Sequence, residues 1–117
     1  MDLDIEGPGD LAALAAAFAP AAYAMQRPAG IIALELHSRH DTDDPEALIL
    51  EFLSIVKRLS PVERTIWDGA IRRVFDIGLE SGAEGSAPTY RLSTATLREV
   101  SQIGAEIAVT LYPRGDS

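Results

Sequence analysis

The sequence predicts a single α+β domain over residues 1–117, a ferredoxin-like two-layer sandwich or a close mixed-sheet variant, with a short strand–helix extension at its N-terminus. Three observations predict it. Apolar residues recur every second position in Ile31–Ser38, Arg72–Glu80 and Ala105–Leu111, the signature of half-buried strands. Between these runs, apolar residues recur at helical spacing and each such stretch opens on a capping residue. From Ile31 onward the order is strand, helix, strand, strand, helix, strand, which is the ferredoxin-like arrangement.

The N-terminal extension covers residues 1–30. Leu3 and Ile5 alternate with acids and form a short edge strand. Gly7-Pro8-Gly9 makes a turn, and Asp10 caps a helix whose stripe is Leu11, Leu14, Ala15 and Phe18, bounded by Pro20. Its alanines favour helix but bury little area. Tyr23 and Met25 are expected to alternate inward on a strand that Pro28 ends.

The core covers residues 31–113. In its first strand Ile32, Leu34 and Leu36 share one face, and Ile31, Ala33, Glu35 and His37 the other. The loop His37–Asp44 leads to the strongest helix of the chain. Asp44 caps it, Pro45 suits its first position, and Leu48, Ile49, Phe52, Val56 and Leu59 line one side. Ser60-Pro61-Val62-Glu63 is a capping box that opens a short helix through Trp67, closed by Gly69. Trp67 belongs in the core, because large aromatics supply much of a small domain's buried area.

Phe75, Ile77 and Leu79 mark the next strand. Arg73 shares their parity, so its stem is expected to be buried while its guanidinium reaches water. A loop at 81–88 and a short returning strand, Thr89–Leu92, follow. Ser93 caps a helix carrying Leu97, Val100 and Ile103, with Leu92 and Leu97 as a hydrophobic staple and Gly104 as the stop. Ala105, Ile107, Val109 and Leu111 alternate to Pro113, and residues 114–117 are expected to fray.

Composition narrows the function. The chain has 117 residues, 47% of them hydrophobic, enough for one core. It has no cysteine, which removes disulfides, thiolate nucleophiles and cysteine-based zinc sites. Ten basic residues face eighteen acidic ones, for a net charge of −8. Nucleic-acid affinity comes from Lys and Arg displacing phosphate counterions, so nucleic-acid binding is not expected, and the same balance disfavours anionic membranes and favours a basic partner. The alanine-rich stretch 10–25 lacks the preceding basic residues of a signal peptide, and no apolar run is long enough to span a bilayer. A cytoplasmic location fits these features.

Candidate chemistry is sparse. His37, His40, Asp41 and Asp43 have the side chains of a metal site, but Asp44 is used as a cap, Arg39 would repel a cation, and calcium-loop spacing fails at Pro45. Glu35, Asp76 and Glu106 offer carboxylates for acid–base work, which needs environments that push their pKa values apart. The chain has no G-x-S-x-G elbow and no phosphate-binding glycine pattern. Arg114-Gly115-Asp116 spells an adhesion tripeptide by chance.

Helices on one side of the sheet leave its other face open. By side-chain parity that face carries Glu35, His37, Val74, Asp76, Glu106, Ala108 and Tyr112, with Ile31, Ala33, Glu80 and Thr110. Apolar centre and polar rim are the mixture found at non-obligate interfaces. The expectation is a non-catalytic module that binds a basic protein partner or a second copy of itself, with no cofactor. The alternative is a small enzyme or metal-binding protein using the His37–Asp44 loop or the open-face carboxylates.

The stretch FDIGLESG followed by RLSTATLREVSQIGAEIAVTLYP resembles the C-terminal part of the bacterial family called domain of unknown function 4279. Leu92, Ser93, Leu97, Gly104 and Tyr112 stand at the matching places, and Gly30 and the acidic, leucine-rich helix before Ser60-Pro61 extend the likeness upstream. The resemblance is strongest over residues 72–113. It implies a small bacterial accessory protein, with an immunity-type role in toxin loci among the roles it allows, and it supplies no catalytic residues.

Overall fold

A computed structural model describes residues 1–42, 44–80 and 89–113. Five strands, β1 (Asp2–Glu6), β2 (Ala22–Arg27), β3 (Ile31–Leu36), β4 (Arg72–Glu80) and β5 (Glu106–Tyr112), form one mixed sheet. Four helices accompany them: α1 (Leu11–Phe18), α2 (Pro45–Lys57), α3 (Pro61–Asp68) and α4 (Thr94–Gln102). A 3-10 turn, His37–His40, precedes α2.

The expected caps are in place. Asp10, Asp44, Ser60 and Ser93 accept backbone N–H groups of their helices' first turns, and Ser60 with Glu63 closes both halves of the capping box. Gly104, at φ +72°, lets Ala105 N–H reach Val100 O and Gly104 N–H reach Ser101 O, the paired bonds of a Schellman ending. All four helices pack on one face. Leu14, Phe18, Phe52, Trp67 and Val100 meet Leu3, Ile5, Ile32, Leu34, Phe75 and Ile77 in a single core.

The strand order is β2-β3-β1-β4-β5, which makes the chain a mixed-sheet variant and not the ferredoxin-like arrangement. Thr89–Leu92 is not a strand. Its expected slot, antiparallel between β3 and β4, is held by β1. The N-terminal strand is therefore central, not an edge, and Leu3 and Ile5 are fully buried.

One missing strand reverses another. With no returning strand among the described residues after β4, α4 brings the chain back to the end where β4 began, and β5 runs parallel to β4 on its outer side. The place beside β3 is left to β2.

Smaller expectations change as well. Tyr23 and Met25 point away from the core, since only Ala22 of β2 is buried. Leu97 is exposed and Thr96 takes its place in the buried stripe of α4, while Leu92 packs half-buried against the core. β3 ends at Leu36, which puts His37 in the 3-10 turn and not on the strand. Segment 81–88, Asp43 and the 114–117 tail, Arg114-Gly115-Asp116 included, lie outside the described residues.

Candidate functional site: the open sheet face

No described helix covers the second face of the sheet, and the register shows what stands there. Asp4 of β1 lies between Ala33 of β3 and Val74 of β4, and Val74 faces Glu106 of β5. One row along, Asp2 faces Asp76, which faces Ala108. Glu6 lies between Ile31 and Arg72, and on the outer strand Tyr23 faces Glu35. Strict alternation causes this: the inward Leu3 and Ile5 of β1 leave Asp2, Asp4 and Glu6 on the opposite side.

A shallow groove of about 280 Å³ runs across the centre of this face. Ile31, Val74 and Ala108 supply its apolar surface, and Asp4, Glu6, Asp76, Arg72 and Thr110 its polar one. Arginines reach the rim. Arg27 pairs with Asp2 at 3.5 Å, Arg72 with Glu106 at 3.7 Å, and Arg39 binds Glu35 and the Tyr23 hydroxyl. The middle of the patch keeps its carboxylates clustered. Asp4 Oδ1 is buried and has no hydrogen-bond partner among the described residues.

Crowding and burial perturb these acids. Asp4 is held above the ordinary carboxylate range, first by desolvation and then by the charges of Asp2 and Asp76. Asp2 is raised too, first by desolvation and then by Glu35, against the lowering pull of the N-terminus and Arg27.

Of the residues expected at this face, Glu35, Val74, Asp76, Glu106, Ala108 and Tyr112 stand on it. The Tyr112 ring lies over Gly78, so close that a Cβ there would sit 3.0 Å from it. His37 stands off the sheet, its ring 5.1 Å from that of Tyr23. Asp2 and Asp4 were missed. The signal was present in the Asp-Leu-Asp-Ile-Glu alternation, but an edge strand would not have put those acids at the centre of the patch.

Several described residues of the mostly exposed His37–Asp44 segment have polar partners. Arg39 is tied to Tyr23 and Glu35, Ser38 donates to Glu51 Oε1 at 2.6 Å, and Asp44 caps α2. Among the described residues no three His, Asp or Glu side chains are placed to hold a metal ion. No helix among them is long and apolar enough to cross a membrane. A second groove, about 340 Å³, lies between α1, α2 and α3 and brings together apolar side chains with Arg58 and Glu63. The chain matches no protein-family model, no curated protein and no solved structure.

Proposed function

We propose that this protein is a non-catalytic binding module whose open sheet face receives a basic protein partner. The observation that carries the reading is the clustering of Asp2, Asp4 and Asp76 around an apolar strip of Ile31, Val74 and Ala108. Such a surface offers buried area at its centre and a negative field that speeds the encounter with a positive patch. The net charge of −8 adds to that field. A cytoplasmic accessory protein, of the immunity type that the family resemblance allows, is the setting in which we place it.

The enzyme alternative draws less support. Acid–base catalysis wants neighbouring groups whose pKa values are pushed apart, whereas Asp2 and Asp4 are pushed in the same direction. Capture of basic proteins from a bacterial lysate, at low and high salt, tests the reading. Wild type should recover a partner whose yield falls with salt, and Val74→Arg/Ala108→Arg should lose it. A folded double variant with undiminished recovery would refute the open-face site.

A further inference from the structure

We propose that β5 is a self-pairing edge, through which two copies of the chain join their sheets antiparallel about a two-fold axis at Val109. This contact runs through the strand's outer backbone edge, although Ala108 and Thr110 of the same strand also line the open-face groove. β5 is the last strand of the sheet, so every second residue turns its N–H and C=O away from β4. Soluble proteins usually blunt such an edge with lysine, proline or a bulge. Glu106–Tyr112 has neither lysine nor proline, keeps an unbroken register against β4, and carries one charge, Glu106. Val109 is 61% exposed and Leu111 66%, although both share the helix side with Phe75 and Ile77. The helices cover β4 and leave its apolar neighbour bare.

The occupant follows from the strand's own chemistry. Among the described residues no strand lies beyond β5, and an open strand edge calls for another strand; this one is complementary to itself. With the axis at Val109, Val109 meets Val109, Ile107 meets Leu111, Ala108 meets Thr110, and Glu106 meets Tyr112. The only charge on the strand meets a neutral ring, and the three inward apolar pairs make one strip across both copies. Either class of antiparallel pair has a local two-fold axis, so this register is geometrically allowed. Edge joining also keeps the two acidic faces side by side and not pressed together, which matters for copies of charge −8. The opposite edge is less suited. β2 ends in Gln26-Arg27 followed by Pro28, and Tyr23 on it is occupied by His37 and Arg39.

Sedimentation equilibrium of the full chain, from micromolar to submillimolar concentration, tests this. Wild type should follow a monomer–dimer equilibrium with no larger species. Val109→Lys, which sets like charges opposite each other across the axis, should weaken the dimer roughly tenfold or more. Val109 is exposed, so circular dichroism should show the fold unchanged. An equimolar mixture of Val109→Lys and Val109→Glu should restore association, because only at the axis does a residue meet its own copy. A wild type that stays monomeric, one that grows beyond the dimer through a β5–β2 contact, an unaffected Val109→Lys, or a mixture that fails to associate would each overturn the proposal.

Discussion

Replacing Arg73 should unlock two helix ends at once. Its Nη1 donates to Trp67 O at 2.7 Å and Ala70 O at 3.2 Å, and its Nε donates to Gly104 O at 3.0 Å. These are carbonyls at the C-terminal ends of α3 and α4, where the helix dipole is negative. The guanidinium carbon also stands 5.9 Å from the Trp67 ring centre. Trp67 itself is fully buried and donates its indole N–H to Ile103 O at 2.9 Å, so one side chain steadies the other's environment. The guanidinium reaches water on one side, as expected, and on the other acts as a clamp.

Its magnitude can be bounded. A hydrogen bond from a charged donor contributes about 1.5–3 kcal/mol, and the two bonds to the partly buried Trp67 and Ala70 carbonyls share one nitrogen. The Gly104 carbonyl lies in an exposed contact where water can replace the donor. Arg73→Met keeps the apolar stem and should therefore cost about 2–4 kcal/mol. Arg73→Lys keeps the charge but not the fork, and should recover roughly half of that loss. Urea unfolding followed by Trp67 fluorescence measures both. An Arg73→Met variant within about 0.5 kcal/mol of wild type, the usual range of surface substitutions, would refute the clamp.

Two further outcomes are expected. Burial and neighbouring acids raise the folded-state pKa of Asp4, so its contribution to stability is present below the ordinary value of 3.8 and is lost as pH rises through the folded value. Asp4→Asn should therefore stabilise the protein at neutral pH, with the gain fading towards pH 3.8; denaturant midpoints showing no gain at neutral pH would contradict the proposed crowding. Phe52→Ala and Phe75→Ala, at fully buried positions, should cost about 3–5 kcal/mol each, while Ile107→Ala, half-buried on the outer strand, should cost only about 1–2, and equal losses at all three would show that β5 is better covered than its exposure indicates.

Local chemistry was legible wherever it is self-contained. The capping box at Ser60–Glu63, the Asp44-Pro45 start of α2 and the Gly104 stop each satisfy their own backbone groups within a few residues, so short motifs suffice to find them. Strand order is a different kind of fact. Leu3-Asp4-Ile5 reads equally well as an edge or a centre, because alternation records which side is buried and not which neighbours a strand has. That ambiguity hid Asp2 and Asp4. The expected strand at Thr89–Leu92 rested on two apolar side chains, Tyr90 and Leu92, and nothing in that stretch encodes a partner. Arg73 was only partly legible for a related reason. Parity placed its stem correctly, but its carbonyl partners sit on segments up to 31 residues away.

The placement of the acids bears on what the open face is for. A sheet needs only one apolar side to fold against its helices, and the polar residues opposite are free to vary in sign. Here Asp2 and Asp76 occupy directly paired positions on neighbouring strands, where like charges disfavour pairing. Asp4 beside them holds a buried oxygen without a hydrogen-bond partner among the described residues. Each feature costs folding free energy, which the half-exposed Arg27–Asp2 pair offsets only in part. Under the proposed reading the account closes at the interface, because a cation brought to this groove relieves the repulsion and supplies the missing donor in one contact. The β5 edge involves no such conflict, since its single acid, Glu106, already pairs with Arg72. A partner on the face and a copy at the edge would therefore be recognised by different physics, the first by charge and the second by backbone hydrogen bonds and apolar area.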